Sequence, residues 1–147
     1  MTPEPTTWQP VPGQIMTRWA QDVSPEAVLP EYPRPQMVRP KWLNLNSLWE
    51  YAVRPRDQEV APTQSDGQIL VPFAIESALS GVKRALEPHE RLWYRRTFAV
   101  PAGWQEQRLL LHFGAVDWEA TVWINGQEAG THQGGIRHFR HRFKAEK

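Results

Sequence analysis

From Leu45 onward, apolar and polar residues alternate with a period of two, the pattern of half-buried strands. In the first such stretch Leu45, Ser47, Trp49, Tyr51 and Val53 share one face, while Asn46, Glu50 and Arg54 take the other. A polar link ending at Ser65-Asp66-Gly67 leads into an apolar run over 68–73. A third strand is predicted over 92–100, stopped by Pro101 and Gly103, and a fourth over 108–113, ending at Gly114. The clearest alternation covers 116–124, where Val116, Trp118, Ala120, Val122 and Ile124 oppose Asp117, Glu119, Thr121 and Trp123. Asn125-Gly126 follows, a two-residue hairpin signal that calls for positive φ at both positions. The return strand is expected over 127–132.

Before Leu45 the pattern changes. Nine of the chain's 14 prolines lie in the first 40 residues, a density that forbids sustained helix and interrupts strand pairing. Residues 1–40 read as an extended arm that packs on the domain over 16–40, with disorder favoured over packing for 1–15. Its one helical turn is expected at Ser24-Pro25, with Ser24 as cap and Pro25 at the first position. Short strands, turn signals and almost no helix make the chain all-β, a β-sandwich.

Composition narrows the functional classes. The 147 residues include no Cys, which removes disulfides and Cys-based zinc sites. One domain with a real core fits this length, whereas an eightfold barrel needs about 250 residues. No run approaches the roughly 20 apolar residues of a membrane span, so no membrane partner is expected. The opening residues lack a signal-peptide pattern: either the chain is cytoplasmic or an export signal lies outside it. The net charge of +1 divides unevenly, because five basic residues and one acid fall in 136–147 and leave 1–135 at −3. A mildly acidic body argues against nucleic acid as a partner.

Local chemistry yields no active site. Asp117 and Glu119 have the spacing of a pair but sit where alternation places the solvated face. Glu76, just past a strand end, reads as a loop acid bonding to backbone. His138 and His141 are three apart, a metal-binding spacing on a helix, yet no third ligand lies nearby and a basic tail is the simpler reading. Of the eight tryptophans, Trp49 and Trp118 fall with the apolar sets and are expected in the core; Trp123 lies on the mixed face. No metal or other cofactor is implied.

Four blocks then carry a resemblance: WLNLNSLWEYAVRP (42–55), ILVPFAIESALSGV (69–82), LWYRRTFAVP (92–101) and LLLHFGAVDWEATVWINGQEAGTHQGG (109–135). In this order, over about 120 residues, they resemble the N-terminal sugar-binding domain of glycoside hydrolase family 2, the β-galactosidase and β-glucuronidase group. The resemblance implies a jelly-roll β-sandwich (galactose-binding-domain-like) over 41–135, preceding an immunoglobulin-like domain and a barrel with two catalytic glutamates that perform retaining hydrolysis. No Glu here matches either catalytic position, so the chain is expected to be inactive alone, with carbohydrate as its partner. In several relatives an Asn before the third block helps shape the sugar pocket. Arg91 holds that position here, with Trp93 beside it, and these two are the implied substrate-binding residues. An independent carbohydrate-binding module, and a module docking on a separately encoded barrel, are the other two readings.

The resemblance stops after Gly134-Gly135. The family continues with Tyr, Asp, then Phe and an Asp-Ile pair; this chain reads IRHFRHRFKAEK. One codon choice for 136–142, shifted by one base, spells Tyr-Asp-Thr-Phe-Asp-Ile-Ala, so the basic tail is read as a frameshift that truncates the domain. Missing closing strands would leave exposed edges and favour self-association. The tail itself has two expected forms: a makeshift strand, or a short helix with Phe139 and Phe143 on one face.

Overall fold

The computed structural model describes residues 8–105, 107–135 and 138–144. The chain is all-β: seven strands in antiparallel pairs, with 3-10 turns as the helical elements among the described residues. It divides into two compact units, 1–97 and 98–147.

The first unit is built on a three-stranded sheet, ordered β2-β1-β3, from β1 (Ser47–Pro55), β2 (Gly67–Val71) and β3 (Glu90–Arg95). Register aligns Trp49 with Ile69 and Val53 with Leu92, so the odd positions of β1 share a face with apolar partners. Val53, Ile69 and Ile75 form the buried cluster on that face, with Trp49, Tyr51, Val82, Leu86 and Leu92 packed around it. Ile69 and Leu70 are fully buried. Each contributes about 1.5–3 kcal/mol relative to an exposed side chain. Trp49 therefore lies against the core, as its parity predicts, and its indole N–H donates to the Leu45 carbonyl at 2.9 Å.

The expected third strand runs too far at its end. Regular pairing on β3 stops at Arg95 rather than 100. Arg96 leaves the ladder to donate to the same Leu45 carbonyl at 2.6 Å, its guanidinium 6.0 Å from the Trp49 ring.

In the arm, Ser24 heads a hydrogen-bonded turn, its Oγ accepting from the Glu26 N–H at 3.2 Å and its carbonyl from the Ala27 N–H at 3.1 Å, while the arm's helical turns lie instead at Arg18–Asp22 and Pro35–Met37. The disorder expected over 1–15 does not hold for the described residues from 8 onward, because Trp8 and Val11 anchor this part of the arm. The Val11 N–H donates to the Ala78 carbonyl at 3.0 Å. Trp8 covers Gly81, which takes φ 81° beyond a short 3-10 turn over 78–80; a Cβ there would lie 2.9 Å from the indole nitrogen. Buried Ser80 braces this loop, its hydroxyl lying 2.7 Å from the Ser77 carbonyl and accepting from the Val82 N–H at 3.0 Å.

The second unit holds two ribbons: β4 (Arg108–Phe113) with β7 (Phe139–Lys144), and β5 (Glu119–Ile124) with β6 (Gln127–Gln133). Asn125 and Gly126 join β5 to β6 with φ of 51° and 78°, the doubly positive turn the dipeptide predicts. The basic segment takes the strand form. Phe139, His141 and Phe143 share one face opposite Phe113, Leu111 and Leu109 of β4, while Arg140 and Arg142 point the other way and are exposed. Phe139 lies between two rings, Phe113 at 4.6 Å and His132 of β6 at 4.2 Å, both nearly parallel to it.

One core assignment fails here. Trp118 is 67% exposed. The chain bends at Asp117-Trp118 and the strand begins only at Glu119, so the alternation that would bury Trp118 does not reach it. Its carbonyl instead accepts from the Gly134 N–H at 2.8 Å.

Candidate functional site

Arg91 and Trp93 lie two apart on β3, which places both side chains on one face of the sheet. That is the face opposite the Val53–Ile69 cluster. Cross-strand partners are Arg54 for Arg91, Ala52 for Trp93 and Glu50 for Arg95. The small Ala52, only 3% exposed, leaves room for the half-buried indole beside it.

Arginines border the indole on both sides. The Arg91 guanidinium is 5.9 Å from the Trp93 ring centroid and donates to the Gln58 carbonyl at 2.9 Å, tying the loop after β1 to β3. Arg95 pairs with Glu50 at 2.5 Å. Arg54 reaches Asp66 at 2.7 Å and the Gln64 carbonyl at 2.8 Å. The result is an aromatic surface framed by fixed hydrogen-bond donors, suited to a ligand with an apolar face and acceptor groups at its rim.

The acids here are placed to hold arginines. Asp66 accepts from the Val53 N–H at 2.8 Å as well as from Arg54. The Val53 N–H, then the Arg54 guanidinium, hold its carboxyl below the usual carboxylate range. A glycosidase's proton donor needs the reverse, a carboxyl held above that range.

Glu76 is an exposed turn residue. Burial, with the Glu76 charge as the second cause, pushes the Tyr94 phenol up to about 12. Tyr94 lies on the core side of β3, its ring edge-on to Trp49 at 6.5 Å. Asp117 and Glu119 are both exposed, in keeping with the solvated-face reading. The helical spacing that a His138–His141 metal pair would require does not arise, because 139–144 is extended. Among the described residues no three of His, Cys, Asp or Glu gather at one point, and no helix is long and apolar enough to cross a membrane.

Arg91 and Trp93 share one face of β3, and the sequence reading does not foresee the Arg54–Asp66 lock beside them. In the sequence Asp66 reads only as part of the polar link that ends at Gly67. Its position before the glycine that opens β2, facing a strand with Arg54 on the polar parity, was the available signal.

Two comparisons with known proteins bear on this surface. The profile of the glycosyl hydrolases family 2 sugar binding domain matches residues 71–144, a span that includes β3 and its Arg91–Trp93 pair. The match continues through the basic strand, past Gly135. A beta-glucuronidase of Paenibacillus borealis is 30% identical over 101 residues, covering 65% of this chain and 17% of that protein. The chain thus spans less than a fifth of the length of the curated relative it matches.

Proposed function

The chain belongs to the sugar-binding domain family of the family 2 glycosyl hydrolases, and we propose that it acts as the non-catalytic, sugar-binding-type domain of a longer retaining β-glycosidase. In this reading the domain is of the jelly-roll, galactose-binding-like type that the family resemblance implies. The catalytic acid and nucleophile belong to a barrel outside this sequence, and the Arg91–Trp93 surface contacts sugar presented there. The match to the sugar-binding domain, rather than to a catalytic one, is the observation that carries the proposal. The Arg54–Asp66 and Arg95–Glu50 pairs support it, since they engage carboxylates near the candidate surface in structure.

The test is an activity assay on the purified chain with a panel of nitrophenyl β-glycosides, β-glucuronide included. No turnover above the buffer rate is expected. Turnover that survives repurification and is abolished by a substitution in this chain would overturn the proposal.

A further inference from the structure

Asn125 and Gly126 are both exposed at the tip of the β5–β6 ribbon. A two-residue turn closes its hydrogen bonds through the flanking pair, here Ile124 and Gln127, which leaves the Gly126 N–H outside the ladder. A Cβ placed on Gly126 would have nothing within 4 Å, so no side chain, its own or a neighbour's, shields that amide. Among the described residues the Asn125 carboxamide makes no hydrogen bond. The tip is also weakly tied. β5 and β6 form a two-stranded sheet, an arrangement of marginal stability by itself, and their register shifts between Val122 and Trp123. Only the Trp123–Glu128 and Ile124–Gln127 pairs lie beyond that irregularity, so the turn end opens at small cost.

The chain's other two asparagines are placed differently. Asn44 and Asn46 are half-buried and precede Leu45 and Ser47, whose side chains crowd the following amide. The Asn44 amide donates to the Leu29 carbonyl at 3.0 Å, and its Oδ1 accepts from the Asn46 N–H at 2.8 Å. The Asn46 amide donates to the Val28 carbonyl at 3.4 Å.

We infer that Asn125 is a site of spontaneous covalent modification: deamidation through a succinimide formed with Gly126. When the tip opens, the Gly126 amide nitrogen gives its proton to hydroxide and attacks the Asn125 side-chain carbonyl carbon. The new N–Cγ bond closes a five-membered ring, and the Cγ–Nδ2 bond breaks as Nδ2 leaves, with a proton from water, as ammonia. Water then opens the ring. Addition at Cγ leaves aspartate; addition at the Asn125 backbone carbonyl carbon leaves isoaspartate, whose main chain runs through Cβ and Cγ. Overall one water is consumed, and a neutral amide becomes a carboxylate and an ammonium ion. Isoaspartate also lengthens the turn by one main-chain atom, which a loop whose length sets the strand register cannot absorb. The site is thus a clock on the hairpin whose β6 strand holds His132 against Phe139.

The full chain, aged at physiological temperature in mildly alkaline buffer, is cut with trypsin and read by mass spectrometry. Peptides 109–137 and 42–56 report Asn125 and the Asn44–Asn46 pair separately. A gain of one mass unit is expected in 109–137, with isoaspartate detected there by enzymatic methylation. Peptide 42–56 should lag by at least on the order of tenfold, the factor one retained hydrogen bond supplies. Conversion should slow in mildly acidic buffer, because the attacking amide must first lose its proton. Asn125→Gly makes a Gly-Gly turn that accepts both positive φ values, so it should keep the fold and abolish the mass gain in 109–137. Melting temperature should then fall with age in the wild type and hold in Asn125→Gly. The same chain in concentrated urea supplies the reference rate. Asn125 intact in buffer while it converts in urea would mean that the closed turn protects it, and would overturn the inference, as would no conversion in either. Equal conversion of 42–56 in buffer would overturn the role given to the exposed tip.

Discussion

Asp66 and Val53 are joined through backbone and side chain: the Asp66 carboxylate accepts from the Val53 N–H at 2.8 Å, two residues beyond the point where the Asp66 N–H donates to the Tyr51 carbonyl at 2.8 Å. A single carboxylate thus extends the β1–β2 ladder beyond Gly67, the first residue of β2. Asp66→Ala is expected to destabilise the chain by about 1–3 kcal/mol. The Arg54 ion pair itself supplies little of this, being about a third exposed and screened by solvent. Because the carboxyl is held below its ordinary value of 3.8, its stabilisation is complete above that value and is lost as pH falls through the lowered folded-state value. Urea unfolding at pH 7 and across the acid range, for wild type and Asp66→Asn, should show a steeper acid loss in the wild type.

Tyr94 supplies the opposite sign. Its phenol is raised to about 12, by burial first and the Glu76 charge second. A raised acid stabilises fully below its unfolded value near 10 and loses that contribution as pH rises toward 12. Tyr94→Phe should flatten alkaline destabilisation in this window. Spectrophotometric titration at 295 nm of wild type against the variant should assign the late-ionising phenol to Tyr94.

Gly130 makes a close approach to β7 in the second unit. Its φ is 148°, and a Cβ there would lie 2.7 Å from two atoms of the His141 ring on β7. Gly130→Ala is expected to cost about 1–3 kcal/mol by overpacking. Pairing it with His141→Ala, which removes the ring, should recover part of the loss. Double-mutant analysis by thermal melting checks this coupling.

Gly81 poses the same question for the arm. Ala there must accept φ 81° and displace Trp8, so the expected effect is a loss of about 1–2 kcal/mol with release of residues 8–14. Hydrogen exchange should show lost protection at the Val11 amide, which bonds to Ala78. Exchange at the β1–β2 ladder should change less.

Much of this architecture was legible from residue parity. Trp49 and Val53 were placed by alternation, Ile69 only as part of an apolar run, and Asn125-Gly126 fixed its hairpin because both positive φ values suit those two residues. Parity could not show where alternation stops. Trp118 looked buried because a bend at Asp117 leaves no trace in a period-two pattern. The 139–144 segment was ambiguous because phenylalanines four apart satisfy a helix face and a strand face alike. The alternating Arg140 and Arg142, with His141 between the rings, agree with the strand. Contacts made by distant pairs, such as Trp8 on Gly81 or Asp66 on Val53, depend on backbone paths that local patterns do not encode. The Arg91–Trp93 pair was visible as neighbours two apart, but not the Gln58 carbonyl that engages the arginine.

The exposed guanidinium row on β7 also governs how separate molecules meet. A second copy approaching the β4–β7 ribbon along that face brings Arg140 and Arg142 toward their own kind, and this repulsion reaches only about 10 Å at 0.1 M ionic strength. Dilute buffer therefore keeps the ribbons apart, while added electrolyte shortens that reach. The protein's colloidal behaviour should worsen with salt, so concentration and storage call for low conductivity.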